Sequence, residues 1–338
     1  MNNQEIIKMI IHHVGMAQEG IAGYNELYAR AGSDEAKHEF LFFIKPEITL
    51  NIESIHLKAI LEMMFNKLAQ HKFTVKDIRL LGASYLEIYD IIARHYGVIN
   101  ALSRKPLDYM SHEALEKFKE AFGHDPKDAK VLGSLELLQQ YSDFTPSSVD
   151  ELWQNSKSVK LAGGTYCAKV EIDEEQVFLI NGFHPKQLMH FTEEGRSIIA
   201  FTLTGDTDWA VARNNFIGKT NPAEALPGSL RNDLLVNREQ YGLPSVSSSQ
   251  NGFHLSAGPV EGLVELMRYC SDYSTKKMRS PEDFVFGREL KRLFDDAQIR
   301  MICDNQVVTH HGKRINTFDL TEEKNSETAL ELLKACVF

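Results

Sequence analysis

Apolar and polar positions alternate along the chain in blocks that predict strands and helices in turn. Residues 39–45 form a continuous apolar run stopped by Pro46, which predicts a buried strand. Residues 55–70 then place apolar side chains at helical spacing, and residues 72–81 predict a second strand. The first part of the chain therefore predicts a strand–helix–strand unit.

The same alternation returns after residue 184. A helix over 185–192 is followed by a strand at 197–204, and a short strand near 251–255 leads into a helix over 259–272. This order of elements predicts an α+β fold of the ferredoxin-like type, a four-stranded antiparallel sheet covered by helices on one face.

Between and around these two parts lie segments of different character. The segment 105–183 reads as an inserted α/β lobe that contains a β-hairpin turned at Asp173–Glu175, and both chain ends read as helical extensions. The predicted organisation has five parts in chain order. They are an N-terminal helical extension (1–38), a first core part (39–104), an insertion lobe (105–183), a second core part (184–272) and a C-terminal helical extension (273–338).

Charge and composition narrow the classes of function. The 338 residues carry a formal net charge of −10, which argues against a general nucleic-acid surface, because such a surface needs excess cations. The four cysteines form no C-x-x-C pair, so no disulfide framework or zinc site is predicted. The start of the chain does not read as a signal peptide, and no apolar run is long enough to span a membrane. We therefore expect a cytoplasmic protein with no membrane or nucleic-acid partner.

One histidine has a context suited to nucleophilic chemistry. His254 falls at the predicted strand end near 251–255, and Glu265 follows eleven residues later within the next helix. A carboxylate bonded to one ring nitrogen fixes the tautomer and leaves the other nitrogen available for attack. An unselected histidine is more often structural, so this pattern alone leaves both interpretations open.

Three other places carry weaker signals. The loop over 220–233 offers the hydroxyl of Thr220 and the guanidinium of Arg231 between turns set by Pro and Gly, and a guanidinium matches phosphate geometry. Lys45 ends the first predicted strand, and Tyr96 lies in an Arg-His-Tyr-Gly segment at a helix end. Taken singly, each is equally consistent with an ordinary surface position.

Taken together and in this order, the motifs resemble the nucleoside diphosphate kinase family. They are F-F-I-K-P-E, R-H-Y-G, T-N-P-A-x-x-x-P-G-x-x-R-x-D and N-x-x-H-x-S. The resemblance covers roughly 39–104 and 184–272, about half of the chain. It implies a ping-pong transfer of the γ-phosphate of a nucleoside triphosphate to a nucleoside diphosphate, with Mg²⁺ as cofactor held by the nucleotide phosphates rather than by protein ligands.

The resemblance also implies a role for each matching residue. His254 would take the phosphate, Glu265 would steady it, and Lys45 would contact the transferred group. The remaining matches would bind the nucleotide and its phosphates: Tyr96, Thr220, Arg231, Asn251 and Ser256.

Several positions depart from the family pattern. Leu255 and Ala257 stand where the family has Gly and Asp beside the histidine, and Glu47 replaces the Asp of I-K-P-D. The phosphate-binding Arg expected six residues before Thr220 is Asn214, and we expect the neighbouring Arg213 to substitute for it if the helix is shifted.

These departures keep a second interpretation open. The chain is either an active kinase that acts on nucleoside tri- and diphosphates or a weak or inactive nucleotide-binding regulatory module on the same fold. Retention of both the histidine and its carboxylate favours the enzyme, because a binding module needs neither. The resemblance also implies a homo-oligomer.

Overall fold

The computed structural model describes residues 2–30, 36–50 and 52–338. The chain divides into two compact units, one formed by Met1–Tyr85 with Glu194–Phe338 and the other by Leu86–Glu193. The predicted insertion, 105–183, lies within the second of these ranges.

Strands are distributed over both units. In chain order they are β1 Tyr24–Ala29, β2 His38–Ile44, β3 Thr74–Gly82, β4 Val131–Gly133, β5 Ser158–Ala162, β6 Thr165–Ile172, β7 Glu175–Ile180, β8 Ser197–Gly205, β9 Phe253–Leu255, β10 Val307–His310, β11 Lys313–Asn316 and β12 Cys336–Val337.

Helices connect and cover these strands. In chain order they are α1 Asn3–Gln18, α2 Pro46–Thr49, α3 Ser54–Gln70, α4 Ala83–Ile88, α5 Ile91–His95, α6 Gly97–Arg104, α7 Pro106–Tyr109, α8 His112–Phe122, α9 Ser134–Gln140, α10 Pro146–Gln154, α11 His184–Thr192, α12 Trp209–Val211, α13 Leu230–Val236, α14 Pro259–Cys270, α15 Val285–Leu293, α16 Asp296–Cys303, α17 Thr317–Thr321 and α18 Ser326–Lys334. Short 3₁₀ turns lie at Pro126–Asp128, Pro222–Glu224 and Pro281–Asp283, and a π-helical turn at Ala212–Ile217.

The first unit is built on a five-stranded sheet in the order β1-β3-β8-β2-β9, with every neighbouring pair antiparallel. The fold is therefore mixed α+β, but the predicted count of four strands is wrong. The additional strand, β1, lies within the N-terminal segment predicted to be helical. It pairs with β3, and this pairing satisfies its backbone hydrogen-bonding groups. A partner strand so far along the chain leaves no signal in the local pattern of apolar residues.

Strand β2 is buried on both faces, which explains its continuous apolar run. Phe40 and Phe42 belong to a core shared with α1 and α3, whereas Phe43 points to the other face and stacks on Tyr269 of α14 at 5.5 Å. The expectation of helices on one face is therefore wrong, since helices pack on both faces of this sheet.

The C-terminal part of the first unit is not purely helical either. Strands β10, β11 and β12 form a small antiparallel sheet in the order β11-β10-β12 between the helices predicted there. The turn of this hairpin uses His311 and Gly312, both with positive φ. The prediction of a purely helical extension at 273–338 is therefore wrong, because this segment contains a three-stranded sheet in addition to its helices.

The second unit has its own four-stranded sheet in the order β4-β7-β6-β5, in which β4 and β7 run parallel. Strands β6 and β7 form the predicted hairpin, turned at Asp173 and Glu174, which both adopt positive φ. Trp153 and Phe118 lie in the apolar clusters that cover this sheet.

Within the described residues, no helix combines the length and the apolar character needed to cross a membrane.

Candidate active site

His254 sits in the middle of β9, opposite Phe43 of β2. Its neighbours Phe253 and Leu255 point into the apolar core, so the alternation of the strand turns the imidazole to the other face of the sheet. There the ring stacks on Phe43 with a centroid distance of 4.5 Å and an interplanar angle of 19°. The side chain keeps 18% of its surface exposed.

Glu265 holds this imidazole from the helix that follows. Helix α14 begins at Pro259, and its second turn brings the buried carboxylate to the histidine. The Nε2 atom of His254 lies 3.0 Å from each carboxylate oxygen of Glu265. A carboxylate accepts hydrogen bonds, so Nε2 carries the proton and the ring is fixed in that tautomer.

Ser256 fixes the carboxylate in turn. Its hydroxyl donates a 2.5 Å hydrogen bond to Oε2 of Glu265 and also lies 3.3 Å from the carbonyl oxygen of Leu41. The residue is fully buried. The structure therefore places Ser256 behind the carboxylate, where it orients Glu265.

The surroundings of His254 lower the pKa of its imidazole, which favours the neutral form. Burial is the main cause that lowers its pKa, and the nearby cations Lys45 and Arg213 lower it further, whereas Glu265 acts in the opposite direction. A neutral imidazole retains a lone pair on one nitrogen, which is the state that a nucleophile needs.

A second carboxylate on α14 was missed by sequence reasoning. Glu261 lies one turn before Glu265, and burial together with the charge of Glu265 raises its pKa to about 8. The i, i+4 spacing of the two glutamates could have revealed this pair, because both fall on the same helix face.

Lys45 joins the site from the end of β2, where it precedes Pro46 and α2. Its ammonium donates a 2.7 Å hydrogen bond to Oδ1 of Asn251. Burial lowers the pKa of Lys45 to about 8, with Glu47 acting in the opposite direction and Arg231 lowering it further.

Asn251 connects three segments of the site through one buried amide. While Oδ1 accepts from Lys45, Nδ2 donates to the carbonyl oxygens of Thr220 and Ser248, at 3.0 Å each. The next residue, Gly252, has a φ of 77° and donates its N–H to Glu47 at 2.8 Å. The predicted strand-end lysine and the predicted loop are therefore brought together by the asparagine of N-x-x-H.

Two arginines bracket the histidine through the backbone of its own strand. Arg231 donates to the carbonyl oxygens of Phe253 at 2.8 Å and Gly218 at 2.9 Å, and Arg213 donates to that of Leu255 at 2.8 Å. The carbonyl groups of Phe253 and Leu255 belong to the two residues on either side of His254. The guanidinium groups are thus positioned by β9 itself.

Arg213 and Arg231 also line a pocket of about 340 Å³. The walls are mainly polar and carry both charge signs, with cations from Arg213, Lys219 and Arg231 and carboxylates from Glu224 and Glu323. The lining residues are Arg213, Asn214, Gly218, Lys219, Thr220, Asn221, Glu224, Arg231 and Glu323.

The π-helical turn at Ala212–Ile217 explains how two neighbouring residues both reach the pocket. A π turn holds one residue more than an α turn and shifts the register of the side chains around it. Arg213 turns to Leu255, while the amide of Asn214 faces Glu323. The substitution of Arg213 for the family arginine stays a prediction.

Glu323 was not foreseen, because it lies in the C-terminal segment outside the core motifs. Its backbone N–H donates to the carbonyl oxygen of Ala257 at 2.9 Å, just before α14. Sequence spacing offers no signal for this contact, since 66 residues separate the two positions.

Among the predicted site residues, only Tyr96 belongs to the second unit. It lies between α5 and α6, where its ring contacts that of His95 at 4.9 Å. Its predicted contact with the nucleotide stays a prediction. Lys45, Arg213, Thr220, Arg231, Asn251, His254, Ser256 and Glu265 all belong to the first unit.

No protein-family model and no curated protein matches the chain. Among solved structures, a nucleoside diphosphate kinase from Pyrobaculum aerophilum is similar at 15% sequence identity and a TM-score of 0.34, over 71% of this chain and 98% of that one. A TM-score of this size leaves the function to be argued from the site.

Proposed function

We propose that the chain is a nucleoside diphosphate kinase-like phosphotransferase with His254 as its phosphorylated nucleophile. The observation that carries this proposal is the pairing of His254 with the buried carboxylate of Glu265, between two arginines that hold the backbone on either side. The ferredoxin-like arrangement is part of the same proposal. The four predicted strands are β2, β3, β8 and β9 in chain order, and they lie side by side in the sheet as β3-β8-β2-β9, which is the order second, third, first, fourth.

In the first half-reaction Nδ1 of His254 attacks the γ-phosphorus of a nucleoside triphosphate. A P–N bond forms, the bond from the γ-phosphorus to the bridging oxygen breaks, and the diphosphate leaves with that electron pair. Glu265 stabilises the positive charge that develops on the ring, through its contact with Nε2. In the second half-reaction a terminal oxygen of a diphosphate attacks the phosphohistidine, and the P–N bond breaks.

The cationic residues supply positioning and charge neutralisation, which dominate phosphoryl transfer. Arg213, Arg231 and Thr220 line the pocket assigned to the phosphates, and Lys45 adds a cation near His254. Asn251 and Ser256 are buried and hydrogen-bonded within the protein, so they act by orienting Lys45, the Thr220 loop and Glu265.

The pocket fits a magnesium-bound polyphosphate. The oxygens of Glu224 and Glu323 would add protein ligands to a metal that the family resemblance expects the phosphates alone to hold. A bound Mg²⁺ would supply neutralisation of the charge that develops during transfer. A cytoplasmic location and a homo-oligomeric state remain predictions.

The test is labelling with γ-³²P-ATP and Mg²⁺. We expect acid-labile, base-stable label on the wild-type protein, none on His254→Ala and slower labelling of Glu265→Gln, which still holds the ring but stabilises less charge. His12→Ala, an exposed histidine on α1, is the matched control and should label normally.

A measured melting temperature and nucleotide affinity complete the design. If His254→Ala lowers the melting temperature but the folded protein still transfers phosphate, then His254 is structural and the proposal fails. If the wild-type protein binds nucleotide without acquiring label, the regulatory-module interpretation replaces the kinase.

A further inference from the structure

The C-terminal segment brings a carboxylate into the pocket that the proposed function assigns to the phosphates. After α17 ends at Thr321, the chain passes directly over the start of α14. The contact is close, because a Cβ on Gly258 would come within 2.5 Å of the carbonyl oxygen of Thr321. The backbone hydrogen bond from the N–H of Glu323 to the carbonyl oxygen of Ala257 then fixes the position of the Glu323 backbone.

The backbone of Glu323 is itself unusual. Its φ is 55°, in the left-handed region that costs a residue with a Cβ about 1–2 kcal/mol. Such strain persists only where the surrounding structure enforces it. Here the bond to Ala257 enforces it, and the result is that the carboxylate lines the pocket with Arg213 and Arg231.

The carboxylate of Glu323 is only weakly engaged in the protein. Its oxygens lie 3.4 and 3.5 Å from Nδ2 of Asn214, at the long limit of a hydrogen bond. The other pocket carboxylate, Glu224, accepts a 2.9 Å bond from Asn221. Glu323 is therefore the carboxylate that a ligand entering the pocket can most readily engage.

We propose that Glu323 is a specificity-determining residue that makes nucleotide binding depend on a divalent cation. This inference rests on the proposed function, since it takes the pocket to hold the phosphates. A metal-free polyphosphate carries several negative charges, and a carboxylate in the same small pocket repels it. A cation bound to the phosphates reverses the sign of that interaction, because Mg²⁺ accepts a carboxylate oxygen or a water held by one.

The experiment measures binding rather than turnover. Isothermal titration with the β,γ-imido analogue of ATP, once with Mg²⁺ and once with EDTA, gives the ratio of the two affinities for each protein. For Glu323→Gln we expect metal-free affinity to rise roughly tenfold and metal-bound affinity to fall about threefold, so the ratio collapses. Glutamine keeps the shape of the side chain, and Glu323→Ala provides a second variant.

Glu322→Gln is the matched control, because it removes the same charge one residue earlier from an exposed side chain that does not line the pocket. An unchanged ratio in Glu323→Gln and Glu323→Ala overturns the inference, as does an equal change in Glu322→Gln. A protein that labels His254 but shows an unchanged ratio contradicts only this inference. One that shows the collapse without labelling contradicts only the transferase.

Discussion

The guanidinium of Arg231 donates a 2.8 Å hydrogen bond to the carbonyl oxygen of Phe253, the residue directly before His254. The residue proposed to bind phosphate therefore also positions the strand that carries the proposed nucleophile. Its other terminal nitrogen reaches the carbonyl of Gly218, so the planar fork of an arginine joins two segments at once.

Arg231→Lys should therefore impair both stability and transfer. An ammonium on a shorter, flexible stem cannot hold both carbonyls, and a buried acceptor left without its donor costs about 1–3 kcal/mol. We expect the free energy of unfolding in urea to fall by about that amount and the labelling rate to fall at least about tenfold. Arg213→Lys, which loses a single bond to Leu255, should be less destabilised, and an equal loss in both variants would contradict this account.

Ser256→Ala should slow phosphohistidine formation without weakening nucleotide binding. The lost hydroxyl donates to Glu265 and not to the pocket, so the histidine loses orientation while the phosphate-binding residues stay in place. We expect roughly a tenfold lower labelling rate at saturating ATP. Ser271→Ala serves as control, because it removes an equally buried serine hydroxyl at the end of α14, which donates to the carbonyl oxygen of Met267 and accepts from the N–H of Arg279. Weakened binding of the imido analogue in Ser256→Ala would refute the assignment.

The labelling rate at low ATP should decline above about pH 8. Burial lowers the pKa of Lys45 to about 8, so the side chain is a cation below that pH and neutral above it. Rates at subsaturating substrate report the free protein, whose cation is lost in this range. Glu261, with a pKa raised to about 8, gains negative charge over the same range and would act in the same direction.

Glu261→Gln separates these two titrations. The alkaline decline should persist in this variant if Lys45 causes it, and it should be absent from Lys45→Met, whose rate is low throughout. A Glu261→Gln profile that stays flat to well above pH 8 would assign the decline to Glu261 instead.

Gly252→Ala should destabilise the first unit severely. The residue has a φ of 77°, and a Cβ there would lie 2.4 Å from Cδ2 of Leu234 and 2.7 Å from Cδ1 of Ile48. Backbone strain and overpacking together should cost about 2–4 kcal/mol in the free energy of unfolding. Gly15→Ala in α1, where a Cβ meets nothing within 4 Å, should instead be neutral or stabilising, and similar melting temperatures for the two variants would be the contrary result.

Local pattern and spacing were enough to predict that His254 and Glu265 lie together. The apolar run of β2 marks a strand buried on both faces, and the separation of His254 from Glu265 suits a strand end followed by two helical turns. Both features depend on neighbours in sequence. The structure accordingly brings Nε2 of His254 within 3.0 Å of Glu265.

Features that depend on distant segments could not be predicted in this way. Strand β1 owes its conformation to pairing with β3, and its own residues show no strict alternation of burial. Glu323 reaches the pocket because a distant backbone bond to Ala257 holds it there. Ser256 was expected to bind phosphate, but whether it turns to a ligand or to Glu265 is decided by the packing of α14.

The π-helical turn at Ala212–Ile217 changes which side chain a fixed spacing along the chain selects. A template that counts residues back from Thr220 arrives at Asn214, whose amide faces Glu323, and scores the position as lacking an arginine. The guanidinium one position earlier nevertheless contacts Leu255. Because the π turn holds an extra residue, it is the guanidinium of Arg213, and not the side chain of Asn214, that lies against the strand of His254.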